Sequence, residues 1–232
     1  MTLAYSTELT LEQYPPYSTV YYYFRKWRND GSWKRVHDHL VGWVRVAQGR
    51  DSSPSVASVD SQTVPTAVMV SAAVGYDGGK KLKGRKRFTM VDTLGLLLMV
   101  KVVAADVQER DGAKQLLTKM NQERHRVPRL TRIWAARFGG KLPPKSCLCD
   151  GGFSGPDFLH WVMDVCHWVV DIVLRPNGSK GFILLSKRWT VERTYGWLHW
   201  CRRLNVDYER LPASSEAFIH IAMIRLMLRR LA

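Results

Sequence analysis

Residues 85–120 read RKRFTMVDTLGLLLMVKVVAADVQERDGAKQLLTKM, and the fold class turns on them. RKRFTMV (85–91) and LLLMVKVVAA (96–105) are strand-like runs rich in β-branched and aliphatic residues. Asp92-Thr93-Leu94-Gly95 between them has the composition of a hairpin turn. DVQERDGAKQLLTKM (106–120) then reads as a helix, with Asp106 as its cap and Asp111 as a further charge favoured by the dipole. Upstream, VASVDSQTV (56–64) predicts a short buried strand ending near Asp60. Downstream, helices are expected over RLTRIWAARF (129–138), PDFLHWVMDV with Pro156 at its start, KRWTVERTYGWLHWCRRL around Glu192, and SSEAFIHIAMIRLMLRRLA with serine caps. CLCD predicts a strand ending at Asp150, and WVVDIVL another. Strands alternating with helices indicate an α/β fold, a mixed sheet with helices on its faces.

The N-terminal part differs. PPYSTVYYYFRKW (15–27) predicts a helix capped by Ser18, with Tyr21, Tyr22, Phe24 and Trp27 on one side. Asn29-Asp30-Gly31 is a turn, and Ser32 caps a second helix bearing Trp33, Val36, Leu40, Trp43 and Val44. Arg25, Lys26, Arg28, Lys34 and Arg35 flank this hairpin. It could enter a DNA groove or pack on the main body. The expected organisation is therefore a helical hairpin over 1–47, which could be a truncated DNA-binding part, a linker over 48–55 (QGRDSSPS), and a main α/β domain over 56–232.

The 232 residues suffice for one sizeable core, and 46% hydrophobic with 24% charged residues excludes wholesale disorder. The net charge of +15 calls for a polyanionic partner, DNA first. The longest apolar run, Leu94 to Ala105, is interrupted by Lys101 and is too short to span a membrane. Residues 1–13 lack the order of a signal peptide. Cys147, Cys149, Cys166 and Cys201 are too few for a disulfide scaffold, which fits a reducing cytoplasm. With His160 and His167 they match no strong zinc spacing.

Lys80, Lys81, Lys83, Arg85, Lys86 and Arg87 form the densest basic run, either a set of DNA-backbone contacts or a solvated loop feeding a strand. It is not a nucleotide-binding Gly-Lys-Ser/Thr loop, so ATP hydrolysis is not supported. Asp60, Asp150 and Glu192 fall where a mixed sheet could gather them in the crevice at its strand ends. At about 4 Å and an effective dielectric near 20, each close carboxylate pair costs on the order of 4 kcal/mol. Divalent cations would offset that. On residue types alone, turn or cap roles remain open for each.

Several strings, VDSQTV, GYDGGKKLKGRKRFTMVDTLGLLLMVKVVAADVQERDGA, CDGGF, RWTVERTYGWLHWCRRL and YERLPASSEAFIHIAMIRLMLRRL, together resemble the insertion-sequence-five family of DDE transposases, in that family's order and over nearly all of residues 14–232. The resemblance implies a ribonuclease-H-like catalytic fold and phosphoryl transfer dependent on Mg²⁺ or Mn²⁺. Its three carboxylates fall on Asp60, Asp150 and Glu192, with Asp60 bridging two metals and the others completing one site each. Metal-bound water would cut the phosphodiester at an element end, an endonuclease step, and the freed 3′ hydroxyl would attack target DNA. The implied partners are double-stranded DNA (terminal inverted repeats and target) and a second copy in a homodimer. The implied place is a bacterial cytoplasm, at the nucleoid. Arg188, Arg193, Arg202 and Arg203 are further candidate DNA contacts, His199 stands in the stretch where related families often carry a Lys or Arg, and Trp197 and Trp200 could stack on a base or belong to the core. Two departures open the alternative of an inactive DNA-binding remnant, although the second could equally be a tolerated loop. Only MTLAYSTELTLEQ precedes the aromatic helix, where relatives carry a further helical segment. AARFGGKLPPKSCLC separates Trp134 from Asp150.

Overall fold

In the computed structural model the described residues are 14–130, 132–136, 156–173 and 189–232. The helical hairpin is present, as α1 (Tyr17–Asn29) and α2 (Ser32–Ala47). Neither serine caps. Helix α1 starts a residue before Ser18, with the Pro16 carbonyl accepting the first amides. Asp30 accepts from the Ser32 amide at 2.9 Å, and Gly31 takes φ +74°, which a glycine adopts without steric cost.

A mixed sheet follows: β1 (Val56–Pro65), β2 (Gly75–Asp77), β3 (Leu82–Asp92), β4 (Leu97–Ala104), β5 (Arg132–Ala136) and β6 (Val169–Val173). β1 pairs antiparallel with β3 and parallel with β5, β5 pairs parallel with β6, and β4 and β2 both pair antiparallel with β3. The hairpin turn is as expected. Asp92 and Leu96 pair through their backbones, and Gly95 sits at φ +77°. The helices are α3 (Glu109–Gln122), α4 (Pro156–Trp161, continuing as a π turn to Cys166), α5 (Trp189–His199) and α6 (Pro212–Leu231). This is the mixed α/β arrangement with flanking helices expected of a ribonuclease-H-like domain.

Three expectations are corrected. The helix over 129–138 is instead β5. Its short Arg132–Ala136 segment is held between two parallel neighbours, and pairing outweighs local preference there. β1 does not end near Asp60 but runs on to Pro65, because β3 pairs with it all the way. Helices α3 and α6 start beyond Asp106 and ahead of Ser214, with Gln108 and Leu211 as their flanking residues and Pro212 at the first position of α6.

The core fills both faces of β3 and β4. On one face Phe88 meets α3 so closely that a Cβ on Gly112 would overlap its ring. Helix α2 joins the same core by burying Leu40, Val41 and Val44 and packs along α6. Each such burial is worth about 1.5–3 kcal/mol. The inner face of α2 is thus taken by protein, and Val36, Trp43 and Val46 remain exposed on its outer face. Cys166 is buried, and burial pushes its thiol up to about 11. Among the described residues no helix is long and apolar enough to cross a membrane.

Candidate active site

Alternation along a strand sends Asp60 and Gln62 of β1 to one face of the sheet, beside Thr89 and Arg87 of β3, their register partners. Asp60 is buried at 4% exposure, and the Ser61 amide donates to its Oδ1 at 2.7 Å. It lies one residue beyond the last β1–β5 pair, Val59 with Ala135, where the parallel part of the sheet opens. That is the carboxyl end of parallel strands, where α/β sheets place their ligands.

Helix α5 covers this point. Tyr195 is buried, and its hydroxyl lies 2.8 Å from the Thr89 hydroxyl, opposite Asp60. Burial and then the Asp60 charge push the Tyr195 phenol well above its ordinary value, so it stays neutral. Glu192 precedes Tyr195 by three residues, so the two are neighbours on one helical side. It is exposed in the first turn of α5. The sheet and α5 therefore set Tyr195, one turn after Glu192, against the strand position opposite Asp60.

The hold on α5 is specific. The Thr194 hydroxyl donates to the Gly95 carbonyl at 2.7 Å, and Arg193 donates to the Leu94 carbonyl at 2.9 Å. Those carbonyls belong to the β3–β4 turn. Asp92 fixes that turn by accepting from the Leu94 and Leu96 amides and pairing with buried Arg45 of α2. Thr89, Tyr195 and the Arg45–Asp92 pair were not singled out from sequence. Only Tyr195, three residues after Glu192, carried a signal, its helical spacing.

The basic candidates divide. Lys80, Lys81 and Lys83 are exposed. Arg85, Lys86 and Arg87 are buried inside β3 and are withdrawn as DNA contacts. Arg85 donates to the carbonyls of Ala72, Glu209 and Arg210 and pairs with Asp207 at 3.3 Å. Lys86 reaches the Val107 carbonyl and Glu109, and Arg87 the Leu204 carbonyl at 2.7 Å. Arg193 lies 4.1 Å from the Trp189 ring centre and 4.8 Å from that of Trp197, and Arg230 also covers Trp197, so this tryptophan is engaged within the protein. Arg202, His199 and Trp200 are exposed, whereas Arg203 pairs with Glu209 at 2.6 Å. Asp150, Arg188, Cys147 and Cys149 lie outside the described residues. Among the described residues no three His, Cys, Asp or Glu side chains form a metal-holding group.

Residues 51–227 match the family model described as a transposase DDE domain, a span that contains Asp60, Asp150 and Glu192. No curated protein matches the chain.

Proposed function

The chain belongs to the family of DDE-domain transposases, and from that premise we propose that it cuts and joins DNA at the ends of a mobile element, using Asp60, Asp150 and Glu192. The observation that carries this reading is the approach of α5 to β1, which sets Glu192 one helical turn from the Tyr195–Thr89 contact beside Asp60. The donor set is three carboxylates, hard oxygen ligands of the kind Mg²⁺ and Mn²⁺ take. Two of them come from the described elements, and the third, Asp150, is assigned from its DGGF motif. Such ions would supply activation of the attacking oxygen and neutralisation of charge on the phosphate.

The chain's own residues do the positioning. The Ser61 amide pins one oxygen of Asp60. Tyr195 and Thr89, both buried, hydrogen-bond to each other at the strand position opposite it. The β3–β4 turn holds α5 in register through Thr194 and Arg193, which fixes where Glu192 enters. Phosphoryl transfer asks for little beyond positioning and charge stabilisation. Lys80, Lys81, Lys83 and Arg202 would meet DNA phosphates. We read residues 56–232 as the catalytic part and a homodimer as the unit that holds two element ends.

The test is cleavage of a duplex carrying the element ends by the full chain with Mg²⁺ or Mn²⁺. The expected result is metal-dependent nicking that Asp60→Asn, Asp150→Asn and Glu192→Gln each abolish. Steeply salt-dependent DNA binding without cutting under any divalent ion would refute the enzyme and leave a DNA-binding remnant.

A further inference from the structure

Helix α1 buries none of its residues, although it is the most aromatic segment of the chain. Tyr17 is 79% exposed, Tyr22 60% and Tyr21 46%. Tyr17 and Tyr21 lie one turn apart with rings nearly parallel, 10° between planes and 5.7 Å between centres. The next residue along this stripe, Arg25, places its guanidinium 5.7 Å from the Tyr21 centre. The stripe borders a hollow of about 780 Å³ that Tyr22 and Lys26 also line. A surface helix that packed only on its own protein would turn such rings inward.

We infer that this outer face of α1 binds unpaired nucleotides, with bases stacked on Tyr17 and Tyr21 and the backbone met by Arg25 and Lys26. Charge selects the occupant. Helix α1 contains no acidic residue, and the chain carries +15 overall, so a second copy would bring like charge against like. Asp30, at the far end of the hollow, is engaged by the Ser32 amide and hydroxyl and by Arg35. Parallel aromatic faces beside mobile cations are the means by which proteins hold single strands, since every base offers a π face. Reading a duplex groove needs polar side chains directed at base edges, and this stripe offers rings instead. The site rests on the reading that DNA is the substrate. It does not depend on the carboxylates.

The experiment is fluorescence anisotropy on the full chain in EDTA, with a labelled oligo-dT strand and a duplex of equal length. Tyr17→Ala/Tyr21→Ala should weaken strand binding by about ten-fold or more and duplex binding by less than about two-fold. Tyr21→Trp should retain strand affinity, and Lys26→Ser should lower the salt slope. The tyrosines are exposed, so an unchanged melting temperature is expected and serves as the folding control. Equal loss on both probes, or no loss on the strand, overturns the site. So does a dimer that the tyrosine variant splits while strand affinity stays constant, which would make the face a contact between copies. Asp60→Asn should bind the strand normally while losing metal-dependent cutting; a parent chain that binds the strand but cuts under no divalent ion would count against the catalytic reading alone.

Discussion

Asp92→Asn removes a buried charge while keeping the side chain's shape. In the parent, one carboxylate oxygen accepts the Leu94 and Leu96 amides at 2.9 and 2.8 Å, and the other faces the Arg45 guanidinium. Asparagine can keep the amide contacts through its carbonyl, but its NH₂ then points at another donor. Arg45 is buried, with Nε donating to the Asp51 carbonyl at 2.7 Å, and it would hold its charge without a counter-charge. Breaking a buried pair from one side costs about 3–5 kcal/mol. Arg45→Met should cost less, about 1–3 kcal/mol, because burial already holds the Asp92 carboxyl above its ordinary range and it can take up a proton. The double variant removes both charges and should cost no more than Asp92→Asn alone. With a urea slope of about 3 kcal/mol per M, Asp92→Asn shifts the unfolding midpoint down by about 1–1.7 M. Urea titration followed by tryptophan fluorescence measures all three. A shift below about 0.3 M, or a double variant whose loss equals the sum of the singles, would refute the reasoning.

His37 and His220 lie in the α2–α6 packing with ring centres 5.1 Å apart, and burial lowers both below 6.5 despite Asp38 nearby. Below that value the unfolded chain binds protons that the folded one refuses. Their contribution is thus intact above about pH 6.5 and falls by about 1.4 kcal/mol per unit per histidine as pH drops toward the folded values. His220→Phe should flatten the slope of melting temperature against pH below about 6.5, and an unchanged slope sinks the assignment. Arg87→Met should destabilise the fold while leaving the salt slope of duplex binding unaltered. Lys81→Ser should do the reverse, and titrations at several salt concentrations separate them. Gly112→Ala gains up to about 1 kcal/mol of helix propensity but forces the Phe88 ring aside at about 1–3 kcal/mol. A net loss should appear in urea unfolding, and a stabilised variant would show that the ring can yield.

What the sequence disclosed depended on whether a residue's partner lay nearby in the chain. The β3–β4 hairpin was readable because Asp92 and Gly95 close it within four residues. Helix α5 was readable from its own spacing, and Glu192 came with it. β5 was not, because a five-residue strand is defined by β1 and β6, which lie far off in sequence. The basic run misled for a related reason. Six cations in eight positions look like one electrostatic surface, but a strand's two-residue period sends Arg85 and Arg87 to one buried face and Lys86 to the other. Their carbonyl acceptors belong to Ala72, Val107, Leu204, Glu209 and Arg210, which no local pattern announces. The same distance hid the Arg45–Asp92 pair, 47 residues apart, and the Thr89–Tyr195 contact, 106 apart. The last of these contacts holds α5 on β3, beside β1. A search for charge density alone would therefore assign to DNA residues that tie β3 to the 204–210 segment and to the residues just before α3.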